Sequence, residues 1–116
     1  MMGISISSLD ETITKRNNAI TVMNEKDAKV RKESACIHCG RCVAHCPMGL
    51  NPTVFATALK LPTDDKMAKL DENRVNICME CGCCSYVCPA NRPLMENNRL
   101  AKSILRDHKA RQSTLK

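Results

Sequence analysis

Hydrophobic and polar residues alternate with a period of two in the first part of this chain. The alternation occurs at residues 4–6, 12–14 and 20–22, and an Asn-Asn pair at 17–18 provides a turn signal between the last two runs. This pattern predicts short β-strands that include a hairpin. Because a lone hairpin is only marginally stable in water and no further strands are indicated downstream, we expect residues 1–24 to be the end of a β-rich domain that lies upstream. A disordered polar arm is the alternative.

From Asn24 onwards the hydrophobic pattern becomes helical. Asn24 followed by Asp27 is typical of a helix N-cap, and the polar residues 25–33 are expected to form a short exposed helix or a linker. This segment leads into the first of two cysteine-rich motifs.

Three longer helices are predicted further along the chain. The first starts at Asn51-Pro52, a cap followed by a first-turn proline, and ends before Pro62. The second starts at Thr63 and the third at Pro93, whose fixed φ suits a first helical turn. Their apolar positions recur at helical intervals, with the last helix predicted through His108: Val54, Phe55, Ala58 and Leu59; Met67 and Leu70; and Leu94, Ala101, Ile104 and Leu105.

Two cysteine motifs flank the first two of these helices and repeat one pattern. Each has the form C-x2-C-x2-C-x3-C-P, and every cysteine of the second copy lies 42 positions after its counterpart. This spacing is a signature of cysteine ligation to iron-sulfur clusters. Glycine recurs after the second cysteine, where the backbone must approach the cluster closely. The motif cysteines are Cys36, Cys39, Cys42, Cys46, Cys78, Cys81, Cys84 and Cys88.

The proline after each fourth cysteine indicates that this cysteine reaches the other cluster. Pro47 and Pro89 disfavour helical geometry in the preceding residue and turn the chain away. In two-cluster ferredoxins with this motif, the fourth cysteine ligates the other cluster. We therefore expect two [4Fe-4S] clusters with crossed ligand sets: Cys36, Cys39, Cys42 and Cys88 for the first, and Cys78, Cys81, Cys84 and Cys46 for the second.

Other uses of these cysteines explain less of the pattern. Structural zinc also uses paired C-x2-C units, but a zinc site needs four ligands and leaves the rest of each motif unexplained. A disulfide framework would need an oxidising compartment, and no signal peptide is recognisable. The ninth cysteine, Cys83, is expected to be a small buried packing residue. His38 and His45 are expected to face solvent, since four thiolates are already available at each site.

The composition predicts a thin conventional core. A chain of 116 residues forms one domain with appendages, and its aromatic content is 2%, with Phe55, Tyr86 and no tryptophan. Large aromatic side chains usually dominate core burial. Two clusters would instead tie separated positions together, so their binding would supply folding free energy and the apo chain should be poorly folded.

The net charge and the lack of recognisable catalytic motifs exclude several classes of function. The formal charge is +6, but two thiolate-ligated clusters would lower it to about +2, so we expect no nucleic-acid partner. The basic excess lies between Arg99 and Lys116, a tail that could face an acidic partner, an anionic membrane surface or only solvent. No apolar run approaches the roughly 20 residues that cross a bilayer. No nucleophilic triad, phosphate loop or catalytic carboxylate pair is recognisable, which leaves electron transfer.

The segment between the motifs indicates the fold. It contains 31 residues from Cys46 to Cys78, with two helix signals and no convincing strand pair, whereas compact βαββαβ ferredoxins join their halves more tightly. The predicted fold is mainly α: a helical ferredoxin-type domain with two [4Fe-4S] clusters over residues 34–116, preceded by the short N-terminal β segment and the linker.

The residues around the cysteines resemble a known family. Ala35–Pro52, with Met-Gly-Leu-x-Pro, and Cys78–Pro89, with Gly-Cys-Cys-Ser-Tyr-Val, closely resemble the C-terminal ferredoxin region of the C subunit of the Rnf complex, an ion-translocating ferredoxin:NAD oxidoreductase. The resemblance extends upstream to Met1-Met2-Gly3 and Asn18-Ala19-Ile20. His38 stands where the family often has arginine, a position that is not a ligand.

The resemblance implies electron transfer by the cluster-bearing part of a membrane-associated subunit. Such a chain would be cytoplasmic and peripheral on the cytoplasmic face of the membrane, without a transmembrane segment of its own. FMN and NAD would bind only in a region upstream of residue 1, so this chain is not expected to be catalytic alone. The expected partners are other subunits of the complex and a ferredoxin-like electron partner. The alternatives are a freestanding soluble 2[4Fe-4S] ferredoxin and the iron-sulfur subunit of a fumarate reductase or heterodisulfide reductase-like enzyme.

Overall fold

The computed structural model describes residues 6, 8–15, 17–29 and 31–114, and no strand occurs among them. These residues divide into two compact units, with the boundary between Lys32 and Glu33. The regular structure in both units is helical. The predicted mainly α fold class is therefore confirmed, whereas the predicted N-terminal β segment is not observed.

The described residues of the first unit contain one short helix, α1 (Glu25–Ala28). Its N-cap is Asn24, whose Oδ1 accepts a hydrogen bond of 2.9 Å from the backbone N-H of Asp27, as the sequence predicts. A turn also forms near the predicted position, since the backbone N-H of Asn17 donates to the carbonyl oxygen of Thr14 at 3.0 Å.

The hairpin predicted on either side of this turn does not form among the described residues. The apolar side chains of Ile13, Ile20 and Val22 are exposed, and the run at 4–6 lies mostly outside the described residues. Strand pairing alone does not offset the entropy of ordering the chain when neither face is buried. The alternating apolar side chains are present in the sequence, but they have no apolar surface to pack against among the described residues of this unit.

The second unit carries the cysteine motifs. In its described part the elements are α2 (Arg41–Ala44), α3 (Pro52–Ala58), α4 (Thr63–Glu72), a 3-10 helix (Val75–Ile77), α5 (Cys83–Tyr86) and α6 (Leu94–Thr114). Helices α3, α4 and α6 are the three that the hydrophobic pattern predicts. Helices α2 and α5 lie inside the cysteine motifs, and a single turn is too short for a hydrophobic period to indicate.

Helix α3 begins at the predicted cap and places its apolar face in the core. Asn51 Oδ1 accepts a hydrogen bond of 3.2 Å from the backbone N-H of Thr53, and Pro52 occupies the first turn. Phe55 and Ala58 follow on one face and are fully buried. The cap and the apolar spacing therefore fix both the start and the orientation of this helix.

The apolar core lies mainly between α3, α4 and α6. Its members are Leu50, Phe55, Ala58, Met67, Leu70, Val75, Ala101 and Leu105. A second, smaller cluster consists of Cys42, Ala56, Cys84, Leu94 and Met95. Two of its five members are motif cysteines, so the packing there depends on what those thiols bind.

Helix α6 is longer than predicted and ends at Thr114, beyond His108. Its basic side chains are not all free for a partner, because Lys102 forms an ion pair with Glu80 and Lys109 forms one with Asp71. The predicted basic tail is therefore partly used within the fold.

The sequence duplication is also a repeat of backbone structure. Helices α2 and α5 start 42 positions apart (41 to 83), as do α3 and α6 (52 to 94). Left-handed φ values recur at the same spacing in the pairs His38 and Glu80, Gly40 and Gly82, and Gly49 and Asn91. The chain therefore follows the same local path through both motifs.

Candidate metal centres

One cavity, of about 360 Å³, is lined by cysteines from both motifs. Three come from the first motif and the fourth from the second: Cys36, Cys39, Cys42 and Cys88. His38, Thr53, Arg92 and Leu94 contribute to the rest of the wall. The four cysteines predicted for the first cluster thus lie around a single cavity.

A second cavity, of about 330 Å³, mirrors this arrangement. Its cysteines are Cys78, Cys81 and Cys84 from the second motif and Cys46 from the first, and the additional thiol of Cys83 also lines it. Three methionines, Met48, Met79 and Met95, contribute to an adaptable, largely apolar wall. The structure therefore also brings together the four cysteines predicted for the second cluster.

Left-handed residues curl the backbone around each cavity. In the first motif φ is 54° at His38 and 73° at Gly40, on either side of Cys39, and in the second it is 57° at Glu80 and 80° at Gly82. A Cβ added at Gly40 would meet nothing within 4 Å. The glycine is therefore required for its backbone conformation and not because neighbouring protein atoms leave no space.

Polar groups already point at three of the sulfurs in the second cavity. The backbone N-H of Leu50 donates to Cys46 Sγ at 3.3 Å. The Asn98 Nδ2 atom lies 3.8 Å from Cys78 Sγ and 3.9 Å from Cys84 Sγ, within hydrogen-bond range for sulfur. Donors aimed at sulfur stabilise a ligating thiolate.

The residues present fit two [4Fe-4S] clusters. Each cavity offers four cysteine sulfurs, the usual ligand set of such clusters, and the nine cysteines are free of disulfides. In the part of the chain that the structure describes, no group of three or more His, Cys, Asp or Glu side chains converges as a single metal ion would need. A four-iron cluster is wider than one ion, so its cysteines stand around a cavity and do not converge on a point.

Burial keeps two of the candidate ligands protonated when no metal is bound. Desolvation raises the pKa of the Cys84 thiol to about 11 and also raises the pKa of Cys42. Iron is bound by the thiolate, so ligation displaces these protons. The free energy of ligation must therefore exceed the cost of ionising buried thiols.

The second motif is fastened to α6 through Glu80. Arg99 Nε donates to Glu80 Oε2 at 2.9 Å and Lys102 Nζ to Glu80 Oε1 at 3.2 Å. The Arg99 hydrogen bond is the main reason why the pKa of Glu80 lies below its ordinary value of 4.5. These two interactions hold Glu80, which lies between the first two cysteines of the second motif, against α6.

Cys83 does not match its predicted role as a buried packing residue. It is only half-buried and lines the second cavity beside the motif cysteines. A hydrogen bond with the Cys81 thiol raises the pKa of Cys83. Cys83 is thus a fifth thiol at the edge of a four-cysteine site.

The two motif histidines are exposed. His38 lies in the wall of the first cavity. His45 Nδ1 lies 3.0 Å from the carbonyl oxygen of Arg41, to which it donates when Nδ1 carries the proton. The exposure agrees with the expectation that both face solvent.

Sequence reasoning missed Asn98, Glu80 and Arg92 as parts of these sites. Asn98 carried a detectable signal, because it falls one turn after Leu94 and three positions before Ala101, on the apolar face of α6. A polar residue at such a position requires a partner or a function. The other two residues lie at positions that no hydrophobic period marks.

No helix in the described residues is long and apolar enough to cross a bilayer. The longest helix, α6, carries charged side chains along its length.

Curated relatives of this chain include the C subunits of several ion-translocating complexes. The C subunit of the proton-translocating ferredoxin:NAD(+) oxidoreductase complex of Clostridium ljungdahlii is 45% identical over 56 residues, 48% of this chain and 12% of the relative. The C subunit of the ion-translocating oxidoreductase complex of Rhodobacter capsulatus is 35% identical over 112 residues, 97% of this chain and 21% of the relative. The protein of the same name from Buchnera aphidicola is 31% identical over 107 residues, 91% of this chain and 22% of the relative.

These relatives confirm the resemblance inferred from the two motifs. The chain spans about a fifth or less of their length. A family model described as a 4Fe-4S dicluster domain matches residues 28–89, which is more than half of the chain and includes every motif cysteine. The chain is therefore a member of the 4Fe-4S dicluster domain family.

Proposed function

We propose that this chain relays electrons through two [4Fe-4S] clusters as the cluster-bearing part of the C subunit of an ion-translocating ferredoxin:NAD oxidoreductase. The observation that carries the proposal is the composition of the two cavities, each lined by three cysteines of one motif and the fourth of the other. The similarity to the C subunits of such complexes supports the assignment.

In this proposal the ligands follow the crossed sets. Cys36, Cys39, Cys42 and Cys88 hold the first cluster, and Cys78, Cys81, Cys84 and Cys46 hold the second. Each cluster, when bound, takes up and releases one electron at a time. Cys83 is not a ligand, since four other thiols already surround the cavity that it lines.

The rest of the chain prepares these ligands. The left-handed residues at Gly40 and Gly82 turn the motif backbone so that successive cysteines face one cavity. The buried Met95 and the partly exposed Met48 and Met79 give the second cavity a largely apolar wall. Lys102 donates to the carbonyl oxygen of Cys78 at 2.8 Å and so fixes the first cysteine of the second motif.

The larger setting is also part of the proposal. Residues 1–24 would belong to the end of a β-rich domain, residues 25–33 would link it to the two-cluster domain at 34–116, and FMN and NAD would bind upstream of residue 1. The chain would lie on the cytoplasmic face of the membrane, in contact with other subunits and with a ferredoxin-like electron partner. The exposed Ile13, Ile20 and Val22 support a missing apolar partner for the first segment.

Cysteine variants of the reconstituted chain test the crossed ligation. Cys46→Ala should damage the cluster held mainly by the second motif, and Cys88→Ala should damage the cluster held mainly by the first. Iron and sulfide analysis with electron paramagnetic resonance distinguishes the two. Cys83→Ser is the matched control and should leave iron content unchanged. Damage confined to the motif that carries the mutation would refute the crossed sets.

Redox measurements on the same chain test electron relay. Both clusters of the native chain should be reducible one electron at a time, without reduction of NAD by the chain alone. If neither cluster is reduced at any potential that physiological donors reach, relay is wrong. Measurable NAD turnover without an added flavoprotein would contradict the assignment of FMN and NAD to an upstream region.

A further inference from the structure

Asn98 is a buried polar residue that points into the second cavity. Its side chain is 2% exposed and lies on the apolar face of α6 with Leu94, Met95 and Ala101. Nδ2 faces the sulfurs of Cys78 and Cys84 at 3.8 and 3.9 Å, whereas Oδ1 has no hydrogen-bond partner among the described residues. Among the described residues, the side-chain amide of Asn98 therefore makes hydrogen bonds only through Nδ2, to the two cysteine sulfurs.

Stability does not explain an amide at this position. Burying an amide with an unpaired oxygen costs free energy, and an apolar residue of similar size would pack there without that cost. Hydrogen bonds to neutral thiols are weak. The same N-H groups become strong donors when the sulfurs carry negative charge, as they do when they ligate iron.

Ligation also decides which way the amide faces. The assignment of oxygen and nitrogen in an asparagine side chain follows its hydrogen-bond partners. A ligating sulfur can only accept, so it selects the orientation with Nδ2 toward Cys78 and Cys84. The observed orientation is the one that a bound cluster would require.

The duplicated half has no such donor. The position equivalent to Asn98, 42 residues earlier, is Ala56, which is also buried on the corresponding helix, α3. Another pair of residues supports this alignment of α3 with α6. Thr53 and Met95 are also 42 positions apart, and they line the first and the second cavity respectively. The two sites therefore share a backbone plan but differ at this position by a side-chain hydrogen-bond donor.

We propose that Asn98 tunes the second cluster by donating N-H groups to the sulfurs of Cys78 and Cys84, which makes that cluster easier to reduce than it would be with an apolar residue there. The inference rests on the proposed two-cluster function. Added negative charge on a reduced cluster spreads onto its sulfurs, and donors to those sulfurs stabilise the reduced form. Asn98 thus favours residence of the electron at the second site.

The step that Asn98 affects is a simple electron uptake. One electron passes from an electron donor, which is oxidised, to the second cluster, which is reduced. No bond to Asn98 forms or breaks, and no proton leaves its amide. The residue changes the equilibrium of this step through two hydrogen bonds that are stronger in the reduced state.

A redox titration of Asn98→Leu in the full, cluster-loaded chain tests the proposal. At the potential where the native second cluster is half reduced, the ratio of reduced to oxidised second cluster should fall about threefold to tenfold, and tenfold corresponds to 59 mV for one electron. The potential of the first cluster should stay unchanged. Paramagnetic resonance follows both clusters, and the signal that Cys46→Ala removes identifies the second.

Two further variants keep the test decisive. Asn98→Ala copies the residue at the equivalent position of the first half, so it tests the same loss of donors if leucine prevents cluster loading. Asn97→Leu makes the same chemical change one residue away, at a half-buried position that lines neither cavity. It should leave both potentials unchanged.

The outcomes separate this inference from the proposed function. An unchanged second-cluster potential in loaded Asn98→Leu or Asn98→Ala would overturn the tuning role and leave Asn98 a packing residue. Equal shifts of both clusters would also overturn it, because the effect would not be local. A native chain that holds no reducible cluster would instead refute the proposed function itself.

Discussion

Lys102 Nζ donates a hydrogen bond of 2.8 Å to the carbonyl oxygen of Cys78, across 24 residues of sequence. The same ammonium also reaches Glu80 Oε1 at 3.2 Å. A helix residue thus holds the backbone of the second motif at its first cysteine. A charged donor to a backbone carbonyl is stronger than a neutral one.

Lys102→Met should weaken the second site while keeping most of the helical packing, because the methionine retains the apolar stem of the lysine. We expect a loss of about 1 kcal/mol, below the usual range for a hydrogen bond with a charged group, because the lysine side chain is 34% exposed and solvent weakens the interaction. The measurement is the denaturant midpoint for bleaching of the cluster absorbance. Lys109→Met is the control, because its ion pair with Asp71 is about half exposed on both sides and should contribute little.

Glu80→Gln should destabilise the chain at neutral pH, and this cost should disappear in acid. The pKa of Glu80 is lowered in the folded chain, mainly by the hydrogen bond from Arg99. Its stabilisation is therefore complete above its ordinary value of 4.5 and is lost as the pH falls through the lower folded value. Below that value, native glutamate and the glutamine variant should have equal stability.

The comparison requires denaturant midpoints of the native protein and the variant at each pH, so that the acid lability of the clusters, which both proteins share, cancels. A difference between the two proteins that is the same at neutral pH and in acid would show that the Glu80 charge contributes nothing. Arg99 and Lys102 remain unchanged in this variant, which isolates the carboxylate.

Gly40→Ala should lower stability by about 1 to 2 kcal/mol, the cost of a left-handed backbone for a residue with a Cβ. The φ of Gly40 is 73°, and no protein atom lies within 4 Å of an added Cβ, so no clash with the rest of the chain adds to this cost. Gly40→Asn should lose less, since asparagine tolerates this conformation better. Equal losses for alanine and asparagine would contradict a purely conformational role.

Phe55→Ala should lower stability by about 3 to 5 kcal/mol, the range for deleting a buried aromatic side chain. Phe55 is fully buried in the core, whereas Tyr86 is 85% exposed. The two residues are the aromatic side chains of this chain, so Tyr86→Ala is the matched control and should change stability by no more than about 0.5 kcal/mol. Denaturant titration of both loaded variants gives the comparison. A small effect at Phe55 would mean that the clusters alone hold α3 in place.

The sequence predicted the helices that have caps and sustained apolar periods. Asn51-Pro52 marked the start of α3, and Leu94 with Ala101 and Leu105 marked the buried face of α6. These features depend only on residues close together in the sequence, so they can be recognised without the structure. The cysteine motifs were equally readable because their chemistry demands a fixed spacing.

Features imposed by tertiary contacts could not be predicted from the sequence in the same way. The left-handed conformations of His38 and Glu80 belong to residue types that adopt it uncommonly, and the curl around each cavity imposes them. The predicted β segment is not seen among the described residues for a different reason. Its alternating pattern is local, but a strand forms only when another strand and an apolar surface are present.

Because each cavity is lined by one cysteine from the opposite motif, neither site can be completed early during translation. Cys88 is synthesised 52 residues after Cys36, and the first cavity lacks part of its wall until then. The second cavity includes the early Cys46 but needs Cys78, Cys81 and Cys84 as well. Neither cavity can have all four of its motif cysteines during translation before Cys84 has been synthesised. Both centres can therefore mature only after the second motif has been made, and a chain terminated before Cys84 would present unligated thiols instead of one finished site.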